Sequence, residues 1–270
     1  MSDPVTTPQP AEHPEIDTSV PHSARIWNYW LGGTDNFPVD RAAGDAYTAV
    51  FPGIVTIARG SRAFLRRSIT HLVSEAGIRQ FLDVGSGLPT AQNTHEVAQR
   101  IAPEARIVHV DSDPMVLAHA RALLTSTREG ATAYVEADAR DPDRILTAAA
   151  ETLDLGRPVG LILSNILGHV ADHDQARSIV TRLMDALPSG SHLCVNDGSL
   201  GIDAVFEQAQ DAYNKSGAVP YVLRSVDEIT RFFDGLELVE PGVVPVTQWR
   251  PDPDSPTPVV AEHGGLARKP

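Results

Sequence analysis

Hydrophobic positions follow two different periods along the chain between residues 60 and 235. Short continuous apolar runs, typical of strands buried on both faces of a parallel sheet, alternate with segments in which apolar residues recur every three or four positions, as on one face of a helix. The predicted strands are Gln80–Val84, Arg106–Val110, Thr132–Glu136, Val159–Ser164 and His192–Asn196. The predicted helices are Ser61–Ala76, Thr90–Ile101, Pro114–Leu124, Asp143–Glu151, Asp172–Leu187, Asp203–Lys215 and Val226–Phe233. This alternation predicts a doubly wound, Rossmann-like α/β sheet covered by helices on both faces.

The pattern changes at both ends of the chain. Leu236–Val239 and Val243–Thr247 are predicted to pair as antiparallel strands through Pro241 and Gly242, so the sheet is expected to be mostly parallel with an antiparallel pair near its C-terminus. The predicted organisation is a disordered lead-in over residues 1–20, an N-terminal helical cap or lid over 21–60, the main domain over 61–250 and an extended surface tail over 251–270.

Charge and cysteine content narrow the function classes. Lys and Arg total 22 and Asp and Glu total 35, a net charge of −13, which disfavours general binding to nucleic-acid backbones. The nearest approach to a basic cluster, Arg59, Arg62, Arg66 and Arg67, is predicted to be a solvated helix face. The single cysteine, Cys194, lies in an apolar run and is predicted to be a buried strand residue. No signal peptide or membrane-spanning stretch is evident, which predicts a cytoplasmic protein.

The central motif is the sequence DVGSGLPT over residues 83–90, directly after the first predicted strand. Gly85 and Gly87 carry no Cβ and allow a tight turn and close approach of a ligand, at the point where doubly wound sheets bind ligands. Thr90 stands where a dinucleotide fingerprint has glycine or alanine, and Pro89 removes an N–H that a pyrophosphate would use. Asp83 adds negative charge, which suits the ammonium and sulfonium of S-adenosylmethionine. A plain tight turn is the alternative interpretation of the glycines.

Two carboxylates follow the next two strands. Asp111 ends the second strand and could accept hydrogen bonds from both ribose hydroxyls of an adenosine, with Ser112 beside it. Asp113, the rival carboxylate, precedes Pro114 and is predicted to cap a helix. After the third strand, Asp138 is placed to accept from an adenine amino group, next to Ala139. A turn-forming role is the alternative for Asp138.

With these segments in order, the chain resembles class I S-adenosylmethionine-dependent methyltransferases. The run PHSARIWNYWLGGTDNF over residues 21–37 is similar to the opening signature of an actinobacterial S-adenosyl methyltransferase family formerly catalogued as a domain of unknown function. The run FFDGLELVEPG over 232–242, followed by WRP at 249–251, resembles its C-terminal signature. The resemblance covers residues 20–270 and implies a class I fold with bound S-adenosylmethionine, but no particular acceptor.

The acceptor side departs from the expected pattern, because residues 164–170 carry one histidine where a histidine pair is expected. Asn165 and His169 are the candidate catalytic residues, and Asn165 is also assigned to the cofactor site. His169 could act as a general base, or it could fix the loop. The polar cluster at 169–174 is predicted to be a loop and helix start capped by Asp172, so no metal site is expected. Lack of an Asn-Pro-Pro-aromatic run favours oxygen or another small-molecule acceptor over an amino group.

The aromatic-rich segment from Arg25 to Asn36 is predicted to close over the cofactor. Tyr29 could border the ligand, Arg25 could pair with its carboxylate and Gly32 could let the backbone approach. The alternative is a scaffold helix anchored by its two tryptophans. The sequence thus predicts an S-adenosylmethionine-dependent methyltransferase that releases S-adenosylhomocysteine. The alternatives are a non-catalytic protein that binds either compound and, disfavoured by the loop chemistry, an NAD-dependent oxidoreductase.

Overall fold

One mixed β-sheet organises the chain in the computed structural model, which describes residues 17–89, 92–116 and 126–270. Among these residues the sheet has eight strands, and five of them run parallel in the order β3-β2-β1-β4-β5. The parallel strands are β1 (Gln80–Val84), β2 (Arg106–Asp111), β3 (Ala131–Glu136), β4 (Gly160–Ser164) and β5 (His192–Gly198). The sequence continues the sheet with β6 (Glu237–Leu238), β7 (Val244–Pro245) and β8 (Glu262–Arg268). This arrangement confirms the predicted doubly wound sheet.

Helices cover both faces of the sheet. They are α1 (Ser23–Trp30), α2 (Pro38–Val50), α3 (Ile54–Ser74), α4 (Thr94–Ile101), α5 (Pro142–Ala149), α6 (His173–Asp185), α7 (Ala204–Tyr213) and α8 (Val226–Thr230), with 3₁₀ turns at Leu167–His169 and Arg231–Phe233. The core on one face joins α1, α2, α3 and α4 to the sheet, and the core on the other face includes α5 and α6. Both faces of the central strands are therefore buried, which explains their continuous apolar sequences.

The C-terminal prediction was wrong in its pairing. β6 and β7 each pair antiparallel with β8, which itself pairs antiparallel with β5 over seven residues. Residues 262–268 were expected in a surface tail, yet all but Arg268 are buried. The antiparallel direction places Glu262, the first residue of β8, opposite Gly198 at the carboxyl end of β5. The late strand thereby returns to the edge of the sheet where doubly wound folds bind ligands.

Several helix bounds also differ from the predicted ones. α3 begins at Ile54, seven residues before the predicted start, because burial of Ile54 and Ile57 outweighs the helical cost of Gly60. Residues 117–124 of the helix predicted from Pro114 lie outside the described part of the chain. So do residues 90–91, at the start of the preceding predicted helix, and residues 1–16 of the predicted lead-in.

The arginine cluster on α3 is not a solvated face. Arg67 is buried and donates to the carbonyls of Val246 and Trp249, and Arg66 pairs with Asp252. The C-terminal segment lies against α3, where Arg67 satisfies two of its backbone carbonyls and Arg66 pairs with one of its carboxylates. In the described part of the chain, no helix is both long and apolar enough to cross a membrane.

Candidate functional site

A cavity of about 270 Å³ opens at the carboxyl ends of β1, β2 and β4. One group of lining residues comes from the loops after the strands, and a second group comes from α1, α2, α3 and α7 together with Tyr221 and Glu262. The first group comprises Asp83, Gly85, Ser86, Gly87, Leu88, Asp111, Ser112, Asp138, Ala139, Arg140, Ser164, Asn165 and His169. The second holds the aromatic lining residues Trp27, Trp30, Tyr47, Phe206, Tyr213 and Tyr221, together with aliphatic and polar residues. The cavity therefore has a polar strand-end part and an aromatic part beneath the N-terminal helices.

The glycine loop turns back onto β2. Gly85 and Gly87 have φ values of +77° and +67°, in the left-handed region that favours glycine. The N–H of Gly85 donates to the carbonyl of Val110 at 2.8 Å. A Cβ on Gly87 would meet no protein atom within 4 Å, whereas one on Gly85 would lie 2.6 Å from the side chain of Ile166. The backbone at Gly87 is thus open to the cavity, and Gly85 is required by protein packing.

Asp111 is built into the same turn. Its Oδ2 accepts from the N–H of Gly87 at 2.8 Å, and its Oδ1 accepts from the N–H of Asp113 at 3.0 Å. Burial raises the pKa of Asp111 above its ordinary value, against the opposing effect of these two backbone hydrogen bonds. Asp113 does not line the cavity; it accepts from the N–H of Met115 at 2.8 Å, as expected of a helix cap.

Asp83 links the loop to the core beneath it. Its Oδ2 accepts from the hydroxyl of Thr94 at 2.6 Å and lies 3.3 Å from Nδ1 of His109. Nε2 of His109 lies 3.1 Å from Nδ1 of His95. Burial lowers the pKa of His95 to about 4. Asp83 therefore borders the cavity, but its Oδ2 contacts Thr94 on α4 and His109 on β2 and so holds both elements to β1.

Asp138 and His169 are joined through Arg140. The guanidinium of Arg140 lies 3.1 Å from Oδ2 of Asp138 and donates to the carbonyl of His169 at 2.6 Å. The ring of His169 contacts the carbonyl of Pro220 through Nδ1 at 2.9 Å, and burial lowers the pKa of this histidine. The predicted loop-fixing role of His169 matches these contacts, and its ring also borders the cavity.

Asn165 lies in a left-handed conformation, with φ of +54°, directly after β4. Conformations of this kind in residues other than glycine are uncommon and concentrate at functional sites. The amide Nδ2 donates to the hydroxyl of Ser61 at 2.9 Å and to Oε1 of Glu262 at 3.2 Å. Asn196 makes the same two contacts, at 2.9 and 2.5 Å. The two amides therefore hold one oxygen of a fully buried carboxylate and the hydroxyl of Ser61 between them.

A second buried carboxylate, that of Asp197, follows Asn196 on β5. Asp197 accepts from the hydroxyl of Tyr221 and lies 3.3 Å from the guanidinium of Arg224. Burial raises its pKa to about 6 despite these partners. Arg224 also donates to the carbonyls of Leu167 and Val170, so it ties the 3₁₀ turn after β4 to β5.

Three residues predicted to contact the cofactor lie away from the cavity. Arg25 pairs with Asp40 at 2.8 Å and donates to two backbone carbonyls, and Tyr29 donates to Asp45 at 2.7 Å. Gly32 has φ of +83° but does not line the cavity. A helix turns about 100° per residue, so the face with Ile26, Trp27 and Trp30 borders the cavity while Arg25 and Tyr29 turn toward α2. Arg25, Tyr29 and Gly32 therefore do not line this cavity, whereas the other residues predicted to contact the cofactor do.

Several lining residues were missed by the sequence analysis. The polar ones include Ser61, Arg62, Gln210, Tyr221 and Glu262, and the others include Tyr47, Ile54, Ile57, Phe206, Tyr213 and Val219. The helical period of α7 could have shown that Phe206, Gln210 and Tyr213 share a face. No local signal marks Glu262 or Tyr221, because only long-range strand pairing and loop packing bring them to the cavity.

Among the described residues, the cysteine, the possible metal ligands and a second cleft add no further site at this edge of the sheet. Burial raises the pKa of the Cys194 thiol to about 12, which excludes a thiolate nucleophile at neutral pH. Asp172 caps α6 as predicted, and among the described residues no three possible ligands are grouped to hold a metal ion. A larger cleft of about 580 Å³ lies at the amino ends of β1 and β5, the edge of the sheet opposite to that used by doubly wound folds.

Comparison with known proteins finds a matching family and two similar solved structures. The family model for S-adenosyl methyltransferases matches residues 9–270. A DUF574 family protein from Streptomyces avermitilis is 46% identical with a TM-score of 0.88, covering 95% of this chain and 100% of its own. A candidate methyltransferase from Thermobifida fusca is 39% identical with a TM-score of 0.86, covering 94% of this chain and 96% of its own.

A more distant structure shares only the fold. An O-methyltransferase family 2 protein from Planctomyces limnophilus, solved with apigenin, is 18% identical with a TM-score of 0.50, covering 86% of this chain and 67% of its own. A search of curated proteins finds no match.

Proposed function

Because the chain belongs to the S-adenosyl methyltransferase family, we propose that it transfers the methyl group of S-adenosylmethionine to a small-molecule acceptor held beneath its N-terminal helices. The observation that carries the proposal is the single cavity that joins the carboxylate-lined strand ends to the aromatic part under α1 and α2. The cavity places two chemically distinct binding regions side by side, as a two-substrate transfer requires. A cytoplasmic location is proposed with it, in keeping with a lone, buried cysteine.

The strand-end part fits S-adenosylmethionine. Asp111, buried at the end of β2, would accept the ribose hydroxyls, Asp138 the adenine amino group, and the bare backbone at Gly87 would lie against the nucleoside. Ser112 and Ala139 border the same space, and Asp83 and Asn165 face it from β1 and β4. When bound, S-adenosylmethionine supplies an electrophilic methyl group on a sulfonium that leaves as a neutral thioether.

The chain's own contribution is positioning and exclusion of water. The aromatic rings from α1, α2 and α7 would hold an apolar acceptor, and the buried polar group around Asn165 would orient its reacting atom. Helix α1 carries Trp27 and Trp30 at the cavity, and we propose that this helix closes over the bound ligand.

We expect calorimetry to show micromolar binding of S-adenosylmethionine and S-adenosylhomocysteine and much weaker binding of NAD. Four carboxylates line the cavity, Asp83, Asp111, Asp138 and Glu262, and they repel a pyrophosphate. Tighter binding of NAD would contradict the proposal. Methyl transfer from labelled S-adenosylmethionine into a small-molecule extract then separates an enzyme from a protein that only binds the compound.

Replacing Asp111 with alanine should weaken S-adenosylhomocysteine binding by about 1.5–3 kcal/mol, the range for hydrogen bonds to a charged group. The matched control is Asp113→Ala, because Asp113 is two residues away but does not line the cavity. Its affinity should stay within about threefold of wild type, a difference of under 1 kcal/mol. If Asp113→Ala abolishes binding while Asp111→Ala does not, the carboxylate has been assigned wrongly.

A further inference from the structure

Glu262 is completely buried, lines the cavity, and leaves one carboxylate oxygen without a hydrogen-bond partner among the described residues. It is 0% exposed and lines the cavity from the start of β8. Its Oε1 accepts from Asn196 and Asn165, while its Oε2 has no hydrogen-bond partner among the described residues. Buried carboxylate oxygens are nearly always paired, so an unpaired one on a residue that lines the cavity indicates a partner that enters the cavity.

The surrounding groups orient this carboxylate without neutralising it. Ser61 accepts from both amides, so its own proton can turn to Glu262. The nearest charged group on β5 is Asp197, which is itself paired with Arg224. Burial raises the pKa of Glu262 to about 7, against hydrogen bonds from Asn196, Ser61 and Asn165. A carboxyl with a pKa near the working pH is well suited to take up a proton in a reaction.

The apolar walls limit what can reach the carboxylate. Trp27, Trp30, Tyr47, Phe206 and Tyr213 supply aromatic surface to the same cavity. Aromatic side chains pack on planar rings by stacked or edge-on contacts. Among aromatic acceptors, a hydroxyl must lose its proton during methyl transfer, whereas a neutral amine attacks through its lone pair first.

We propose that Glu262 is the general base of the reaction and that the acceptor is an aromatic small molecule bearing a hydroxyl group; this rests on the proposed methyl transfer. The acceptor O–H bond breaks as its proton passes to Oε2 of Glu262. The oxygen's electron pair forms the new O–C bond, and the C–S bond breaks with its pair retained on sulfur. The carboxylate becomes a carboxylic acid and the sulfonium a neutral thioether, so charge balances. The proton then passes to water.

The test uses 2-naphthol and its hydroxyl-free analogue 2-fluoronaphthalene as probes, with protein saturated with S-adenosylhomocysteine. We expect wild-type protein to prefer 2-naphthol by at least tenfold in equilibrium dialysis at pH 8. Glu262→Gln, which keeps the shape and the Oε1 contacts, should lose this preference. Its affinity for S-adenosylhomocysteine should stay within threefold of wild type. With S-adenosylmethionine, the variant should methylate 2-naphthol at least 100-fold more slowly, within the usual range for removal of a general base.

Glu237→Gln is the matched control, because Glu237 lies exposed on the neighbouring strand β6, outside the cavity, and pairs with the exposed Arg268. It should match wild type in every readout. If Glu262→Gln fails to bind S-adenosylhomocysteine, Glu262→Asp replaces it, since it retains the charge but withdraws it by one methylene and should lose the same preference.

The outcomes separate this inference from the proposed function. Failure of wild-type protein to bind S-adenosylhomocysteine would overturn the proposed function. Normal cofactor binding without a preference for 2-naphthol, or with a preference that Glu262→Gln retains, would overturn the role of Glu262 alone.

Discussion

Replacing Arg224 with leucine should lower the free energy of unfolding by about 3–5 kcal/mol at pH 8, the range for removing one partner of a buried ion pair. The guanidinium is 2% exposed and faces Asp197, which is completely buried. It also donates to the carbonyls of Leu167 and Val170. Leucine would leave a buried carboxylate with Tyr221 as its remaining side-chain partner and would release the turn that carries His169.

The cost should be smaller at pH 5 than at pH 8. The pKa of Asp197 is already raised by burial to about 6, above the ordinary 3.8, and Arg224 opposes that rise. Loss of Arg224 therefore raises the pKa of Asp197 further. The native variant then holds a proton that the unfolded chain releases, so its stability falls as the pH rises above 3.8.

Urea denaturation of the variant at both pH values measures this effect. Arg268→Leu is the control, because Arg268 forms an exposed pair with Glu237 and its loss should cost no more than about 1 kcal/mol. Adding Asp197→Asn to Arg224→Leu should restore part of the loss at pH 8. A loss below about 1 kcal/mol at both pH values would show that the pair contributes little.

Replacing Gly85 with valine should reduce stability by roughly 2–6 kcal/mol and abolish S-adenosylhomocysteine binding. The left-handed conformation costs a substituted residue about 1–3 kcal/mol. The new Cβ would also lie 2.7 Å from Cβ of Ile166, close to the backbone, and such overpacking costs about 1–3 kcal/mol more. A shift of the loop would detach the Gly87 N–H from Asp111 and so disturb the proposed ribose site.

The variant Gly32→Val separates the cost of the left-handed backbone conformation from the cost of contact with a neighbouring side chain. Gly32 has φ of +83° but would meet no atom within 4 Å, so its substitution should show the conformational cost alone and leave binding intact. Combining Gly85→Val with Ile166→Ala should recover part of the stability. Equal losses in Gly85→Val and Gly32→Val, measured by urea denaturation, would mean that contact with Ile166 contributes nothing.

The parallel half of the sheet was predictable because its signals are local. Each strand from β1 to β5 reads as a short apolar run in the sequence, and the structure moves the predicted bounds by at most two residues. The glycine loop and Asp111 follow from the same logic, since they come directly after strands whose carboxyl ends must share one edge.

The N-terminal segment shows where a local argument fails. The aromatic content of residues 25–36 correctly drew attention to this stretch, and α1 does border the cavity. Arg25 and Tyr29 lie on the other face of α1, because their partners, Asp40 and Asp45, lie on the next helix. An arginine placed near a ligand's carboxylate and one placed in a buried ion pair look the same in sequence.

What the sequence determined by itself was the doubly wound scaffold and its glycine turn, because hydrophobic period and strand-end chemistry act over a few neighbouring residues. Only the tertiary structure decided the acceptor side. The segment EHGGLAR at 262–268 carries two glycines and three ionisable side chains, a composition of low strand propensity. It forms a buried strand because β5, β6 and β7 supply its hydrogen bonds. That long-range pairing brings Glu262 to the same cavity as Asp111, although the two residues lie far apart in the sequence.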